Sequence, residues 1–331
     1  MKNKEQVQEK KNILSALNIK KHFYSLSVLL SLLLLCIVLS ILSPHFLTVT
    51  NLVNVAGQAS INAIISIGMF LVIMTGGIDL SVGSVLALST MFMGFFAITL
   101  NMNPFLALIL CLAIGTMLGL LNGLMLTKLR LPHPFISTMG MRQMARAVAL
   151  VVTGTMPVHG FAPPILFLGN TTIGRMPISF ILVIVLYVLM FIFLTRTRTG
   201  RHIYAVGGNK EASRLSGINV DNTLNLVYAM SGFFAALAGI VLVGRVNAAF
   251  PLAGIDIETD AIAAVIIGGS SFFGGIGKIG NTIVGVLLIT VLRNGLNLLG
   301  VTSAWQTFSI GAVIIVAVFI DVLRQRALKQ K

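Results

Sequence analysis

Long apolar runs alternate along this chain with short polar breaks, and most of the runs share a length. They lie at about Tyr24–Leu42, Leu52–Met74, Val82–Leu100, Pro104–Thr127, Pro134–Thr153, Pro177–Leu194, Leu224–Val243, Thr259–Ile267, Thr282–Leu299 and Ala304–Val322. A run of about 20 apolar residues crosses a hydrocarbon layer as an α-helix. The pattern therefore predicts an all-α, polytopic membrane bundle of about ten transmembrane helices. The eighth run is short, and the fifth carries Arg142 and Arg146. The first run follows a basic, polar segment without a small-residue cleavage site, so it reads as a retained helix.

One sizeable mid-chain stretch is written for water, Arg196–Thr223. Inside it, NKEASRLSGI has the grammar of a very short helix. Asn209 suits the N-cap, and Glu211 suits the positive end of the dipole. Gly217 is placed for a left-handed C-terminal turn that folds Ile218 back onto Ala212. Two turns do not hold themselves together in water, and Ala212 and Leu215 offer an apolar face with nothing local to cover it. Together with Ser216, these residues read either as a peg for a socket on another protein or as an ordinary capped surface loop.

Two glycine-rich breaks interrupt the apolar pattern, TGGIDLSVGS early and IIGGSSFFGGIGKIGN late. Irregular backbone at membrane depth is tolerated where it lines a cavity or is buried in protein. Gly76, Gly77, Asp79 and Ser81 in the first break, and Gly268 and Gly269 in the second, are thus candidates for a central pathway. Asp79 has a second reading, as the cap of the third helix. Asn294 and Asn297 join Gln58, Asn62, Asn122, Gln143 and Gln306 as uncharged hydrogen-bonding groups within the spans. They suit either a neutral polyhydroxylated cargo or interhelical glue.

Composition narrows the class. The 331 residues are 56% hydrophobic and 10% charged, far too little charge for a soluble surface. The net charge of +14 does not indicate nucleic-acid binding, because the basic residues follow the loops. With ten spans the two termini, the link KLRLPHP and the polar island share one side, and the positive-inside rule makes that side cytoplasmic. The domain plan is a basic tail at 1–22, a transmembrane bundle at 23–323 with the loop 196–223, and a basic tail at 324–331.

Other chemistry is weakly written. Gly275, Gly277 and Gly280 satisfy G-x-G-x-x-G without a strand-to-helix unit around them, and Gly277-Lys278 lacks the rest of a phosphate loop. The five histidines have no metal spacing, no nucleophile–base set presents itself, and no cofactor is expected. Cys36 and Cys111 lie inside apolar runs and read as free thiols. Gly115, Gly119 and Gly123 form a small-residue row for close helix approach, more simply inside the bundle than between copies. Arg293 needs a partner, with Asp260 and snorkelling as the two options.

TGGIDLSVGS, GGNKEASRLSGI and IIGGSSFFGGIGKIGNTIVGVLLITVLRNGLNLLGV, in this order, resemble the permease subunits of bacterial ATP-binding-cassette importers for monosaccharides. That family takes in the ribose, xylose, galactose and autoinducer type and is distantly related to the branched-chain amino-acid permeases. The resemblance spans about Asn51–Asp321. It implies a multi-pass protein of the bacterial inner membrane, paired with a second permease copy as a homodimer or related heterodimer. It also implies a cytoplasmic two-domain ATPase on the loop around Asn209–Gly217 and a periplasmic or lipid-anchored sugar-binding protein on the other face. Its rivals are an importer for a branched-chain amino acid or nucleoside and an ion-coupled secondary transporter built on Asp79.

Overall fold

A computed structural model describes residues 28–329. The runs become helices with ends set by recognisable stops. α1 is Val28–Leu42, and α2 is Val49–Met74, opened by Thr48, whose hydroxyl accepts from the Asn51 amide. α3 is Val82–Gly94 and continues through a π-turn at Phe95–Thr99. α4 is Pro104–Thr127, with proline in its first turn and Asn103 as cap. α5, Pro134–Val152, starts in the same manner behind His133. α6 is Pro163–Asn170, and α7 is Ile178–Arg196. α8, Arg198–Gly208, and α9, Lys210–Leu215, occupy the polar island. α10 is Val220–Val246, α11 Ile257–Ile267, α12 Ile279–Leu298 and α13 Ser303–Lys329.

Among the described residues, seven helices are long and apolar enough to cross a membrane: α2, α3 with its π-turn, α4, α7, α10, α12 and α13. α5 is long enough but carries Arg142 and Arg146, and α11 has 11 residues. Two elements depart from the sequence reading. The Pro- and Gly-rich stretch at 155–175 holds the short helix α6, and the polar island holds α8 as well as α9. Both escape a hydropathy reading because each draws its stability from packing on larger helices rather than from an apolar run of its own. α13 continues in helix to Lys329, through most of the expected basic tail at 324–331, while the tail at 1–22 lies outside the described residues.

α2 and α10 form the spine. The second half of α2, from Ile61 to Met74, is almost wholly enclosed, and so is α10 from Phe234 to Gly244. α4 crosses α10 along the small-residue row. A methyl group at Gly115 would come within 2.6 Å of the Gly232 carbonyl, and one at Gly123 within 2.8 Å of the Asn225 Cα. Backbones that meet this closely gain packing along their whole contact, so this row belongs inside one chain. On the far side of α10, Gly244 meets Gly169 of α6. Two short antiparallel ribbons tie the loops: β1 (Val158–His159) with β4 (Ala248–Ala249), and β2 (Thr172–Ile173) with β3 (Met176–Pro177).

Candidate functional site

The peg is built as its sequence implies. Asn209 Oδ1 accepts from the Ala212 amide at 2.9 Å, capping α9. Gly217 takes φ +82°, its amide reaches the Arg214 carbonyl, and the Ile218 amide reaches the Ser213 carbonyl, closing the helix. Only Ser213 of α9 is buried, while Leu215 is 82% exposed and Glu211 pairs with Arg214 in the open at 3.4 Å. One detail differs. Ile218 packs with Val206, Val220 and Leu224 at the base, while Ala212 stays exposed, so the apolar face of α9 is freer than the sequence suggests.

The base of the peg meets the second break. α8 buries Gly200, Ile203 and Val206. A methyl group at Gly207 would run into the Met74 carbonyl and lie 2.6 Å from the Gly275 nitrogen. Gly275, at φ +71°, donates its amide to that same Met74 carbonyl at 3.0 Å. Tyr204 donates to the Gly277 carbonyl at 3.2 Å, and burial pushes its phenol above the usual range, which keeps it a donor. The end of α2, the end of α8 and the loop 268–278 thus form one glycine-lined platform beneath α9. Gly268 sits against Asn281 and Thr282 of α12, and Gly269 takes φ +88° in the turn that ends α11.

The first break is held differently. Gly76, at φ +72°, turns the chain out of α2, and Gly77 leaves room for the Tyr228 hydroxyl 2.7 Å from where its Cβ would stand. Asp79 is 1% exposed. Its Oδ1 accepts from the Ser81 amide at 2.9 Å and the Ser81 hydroxyl at 2.6 Å, and its Oδ2 from the Ser231 hydroxyl at 2.7 Å. Asn122 donates to the Ser81 hydroxyl oxygen at 2.8 Å, and Tyr228 donates to the Ile78 carbonyl at 3.4 Å. The N-cap of α3 is Ser81, not Asp79, and Ser81 makes no side-chain capping bond. Asp79 instead ties the break to α10, because its carboxylate turns back over Ser81 and reaches across to Ser231.

The amides resolve into pairs. Asn294 and Asn51 exchange two hydrogen bonds, 2.8 and 3.0 Å, clamping α12 to α2, and Asn297 accepts from Gln306 at 2.7 Å. Arg293 takes the Asp260 option, with two bonds of 2.8 Å. The sequence reading passed over a second ionic contact. Arg142 of α5 pairs with the buried Glu258 at the start of α11 at 2.9 Å. One turn on, Arg146 donates to the carbonyls of Pro251 and Ala253 at 2.7 and 2.8 Å. Two arginines four apart in a membrane-length helix were the available signal, but their partners lie over a hundred residues away.

Known proteins resemble this chain in sequence over most of its length. A family model described as the permease component of branched-chain amino-acid transport systems matches residues 51–318. The ribose import permease of Escherichia coli K12 is 43% identical over 90% of this chain and 93% of its own length. That of Bacillus subtilis 168 is 41% identical over 88% and 91%. The D-allose transport system permease of Escherichia coli K12 is 41% identical over 85% and 86%. No solved structure matches.

Proposed function

The chain belongs to the family of branched-chain amino-acid transport permease components, and on that footing we propose that it forms the membrane pathway of an ATP-binding-cassette importer for a monosaccharide. It is a multi-pass membrane transporter subunit and not itself an enzyme. The observation that carries the sugar assignment is the 43% identity with a ribose import permease over nine-tenths of the chain. The wording of the family model alone would favour an amino acid, and the relatives at 34–43% identity are permeases for ribose, allose, fructose and galactose.

In this reading α9 is the coupling element. Asn209, Glu211, Ala212, Leu215, Ser216 and Gly217 present a rigid, capped, exposed knob to a cytoplasmic two-domain ATPase. The glycine platform under the knob would carry its displacement to the ends of α2 and α11. About ten spans, with both termini in the cytoplasm, place the knob on the basic side. Tails at 1–22 and 324–331 flank a single permease domain. A second copy, or a related permease, completes the pathway, lipid surrounds it, and a sugar-binding protein delivers cargo on the outer face. Gly76, Gly77, Asp79, Ser81, Gly268 and Gly269 act as the joints of the two interrupted helices. Asn294 and Asn297 act near the pathway as helix clamps. Asp79, satisfied by three neutral donors, fits a joint better than an ion-coupling charge.

Uptake of labelled monosaccharides and amino acids, with and without this chain, tests the proposal. Loss of one sugar's uptake, sensitive to ATP depletion and indifferent to collapsed ion gradients, is expected. Gradient-driven uptake would overturn it. A Gly217→Trp variant has open space for its side chain, but its backbone favours glycine. It should insert normally and lose uptake while the ATPase still turns over; normal uptake would sink the coupling role.

A further inference from the structure

The tip of the second break carries apolar side chains into the open. Residues 271–278 form a closed loop. The Ser271 amide reaches the Ile276 carbonyl at 2.7 Å, and Gly274 and Gly275 take φ +89° and +71° at the turn. Phe272 packs inward on Ile266, Ile289 and Ala317, and its amide meets Asp321 at 3.3 Å. Phe273 stands edge-on against the Phe272 ring, with 6.1 Å between centroids. It is 59% exposed, and Ile276 is 51% exposed. Three spans set the depth of the loop. α2 ends at Met74, which binds Gly275, and α12 begins at Ile279. The apolar stretch of α13 closes at Val322, just past Asp321. The tip therefore lies where the apolar layer stops, against α8 of the polar island.

The tip also touches the foot of α9. A methyl group at Gly275 would stand 2.8 Å from the Gly208 nitrogen, and the next residue, Asn209, is the cap of α9. α9 has six residues, a length of about 9 Å. A stable protein–protein contact buries about 800 Å² on each partner, more than so short a helix presents. A socket for α9 must spread to its neighbours. The tip adjoins it with an aromatic and a branched side chain already held in place. Lys210, beside Asn209, and Lys278, beyond Ile276, are exposed, while Glu211 is taken up by Arg214. We propose that the loop 271–278 is a second docking element for the ATPase that receives α9. Phe273 and Ile276 fill an apolar pocket on that subunit, and Lys210 and Lys278 meet acidic side chains at its rim. The proposal rests on the ATPase-facing reading of α9 and deepens it. Motion of the ATPase would act on the joint between α11 and α12 directly as well as through α9.

The test uses membranes holding the complete importer with a tagged ATPase. A benzophenone amino acid replaces Phe273, Leu215 of α9 or, as a lipid-facing control, Phe191 of α7, all exposed positions. On irradiation, the probes at Phe273 and Leu215 should each crosslink to the tagged ATPase, and the probe at Phe191 should not. Crosslinking from Leu215 without Phe273 would overturn the second contact and leave the peg standing. A crosslink from Phe273 to phospholipid alone would overturn it too, placing the tip among headgroups. Crosslinking from Phe273 without Leu215 would keep the loop and sink the peg. Crosslinking from neither site, with ATP-dependent uptake intact, would sink both. In nanodiscs, Phe273→Asp should weaken ATPase binding about tenfold or more, with the permease melting near the wild-type temperature. Phe273→Tyr should keep most of the affinity. Lys278→Glu should weaken binding about threefold and flatten its salt dependence. Wild-type affinity in a folded Phe273→Asp variant would overturn the proposal.

Discussion

The two glycine-rich breaks look alike as sequence and are built by opposite means. The first, from Gly76 to Ser81, is fastened by side chains: one buried carboxylate gathers two donors from Ser81 and one from Ser231 of α10, and Asn122 of α4 joins them. The second, the loop 268–278, is fastened largely by bare backbone. Gly275 bonds the Met74 carbonyl, and Gly207 of α8 sits where no Cβ fits. A polar knot resists movement through hydrogen bonds that lose much if broken in a dry interior. A glycine platform resists through close backbone contact and one backbone hydrogen bond, with no buried charge to leave unpaired. That difference suits the second break to stand under the peg and the first to anchor the centre.

Substitutions can break or sharpen the contrast. The largest effect is expected at Gly207→Val, where the new side chain meets the α2 backbone and a flexible neighbour cannot give way. No monodisperse folded protein should be recovered by size exclusion; a folded variant would show that the platform has slack. Asp79→Leu comes next. It keeps the branching, adds bulk in place of the two oxygens and leaves buried donors unpaired, a loss of about 3 kcal/mol read as a fall in Tm in nanodiscs. Asp79→Asn, which keeps the Ser81 contacts, should lose less, and an equal or greater loss would mean that the charge and not the bonding matters. Tyr204→Phe is smallest. One side-chain bond to the Gly277 carbonyl is removed from a contact otherwise made by backbone, at a loss of about 1 kcal/mol. A loss matching that of Asp79→Leu would erase the distinction between the breaks.

Much of the capped helix α9 was legible because its rules are local. Asn209, Glu211 and Gly217 declare a short helix within ten residues, and the caps form as declared. Spans are equally local, since hydropathy over about 20 residues sets them. The distant partners of Asp79, Arg142 and Asn294 were not legible. They sit 152, 116 and 243 positions away (Ser231, 231 − 79; Glu258, 258 − 142; Asn51). A single chain carries no record of such pairings. α6 and α8 were missed for a related reason, since their apolar faces are too short to show a period and gain their order from α7 and α10.

The sequence by itself determined that this is a helical membrane protein, where most of its long helices lie, and that a short capped helix sits in its one polar island. Those features depend on hydropathy and backbone chemistry summed over neighbouring residues. Only the tertiary structure decided that Asp79 ties helices together instead of capping one, that the second break forms the peg's footing, and that Arg142 of α5 finds its partner in Glu258. These follow from which backbones approach within a Cβ of each other and which buried charges find partners. Such distances exist only once α2, α4, α5 and α10 are packed.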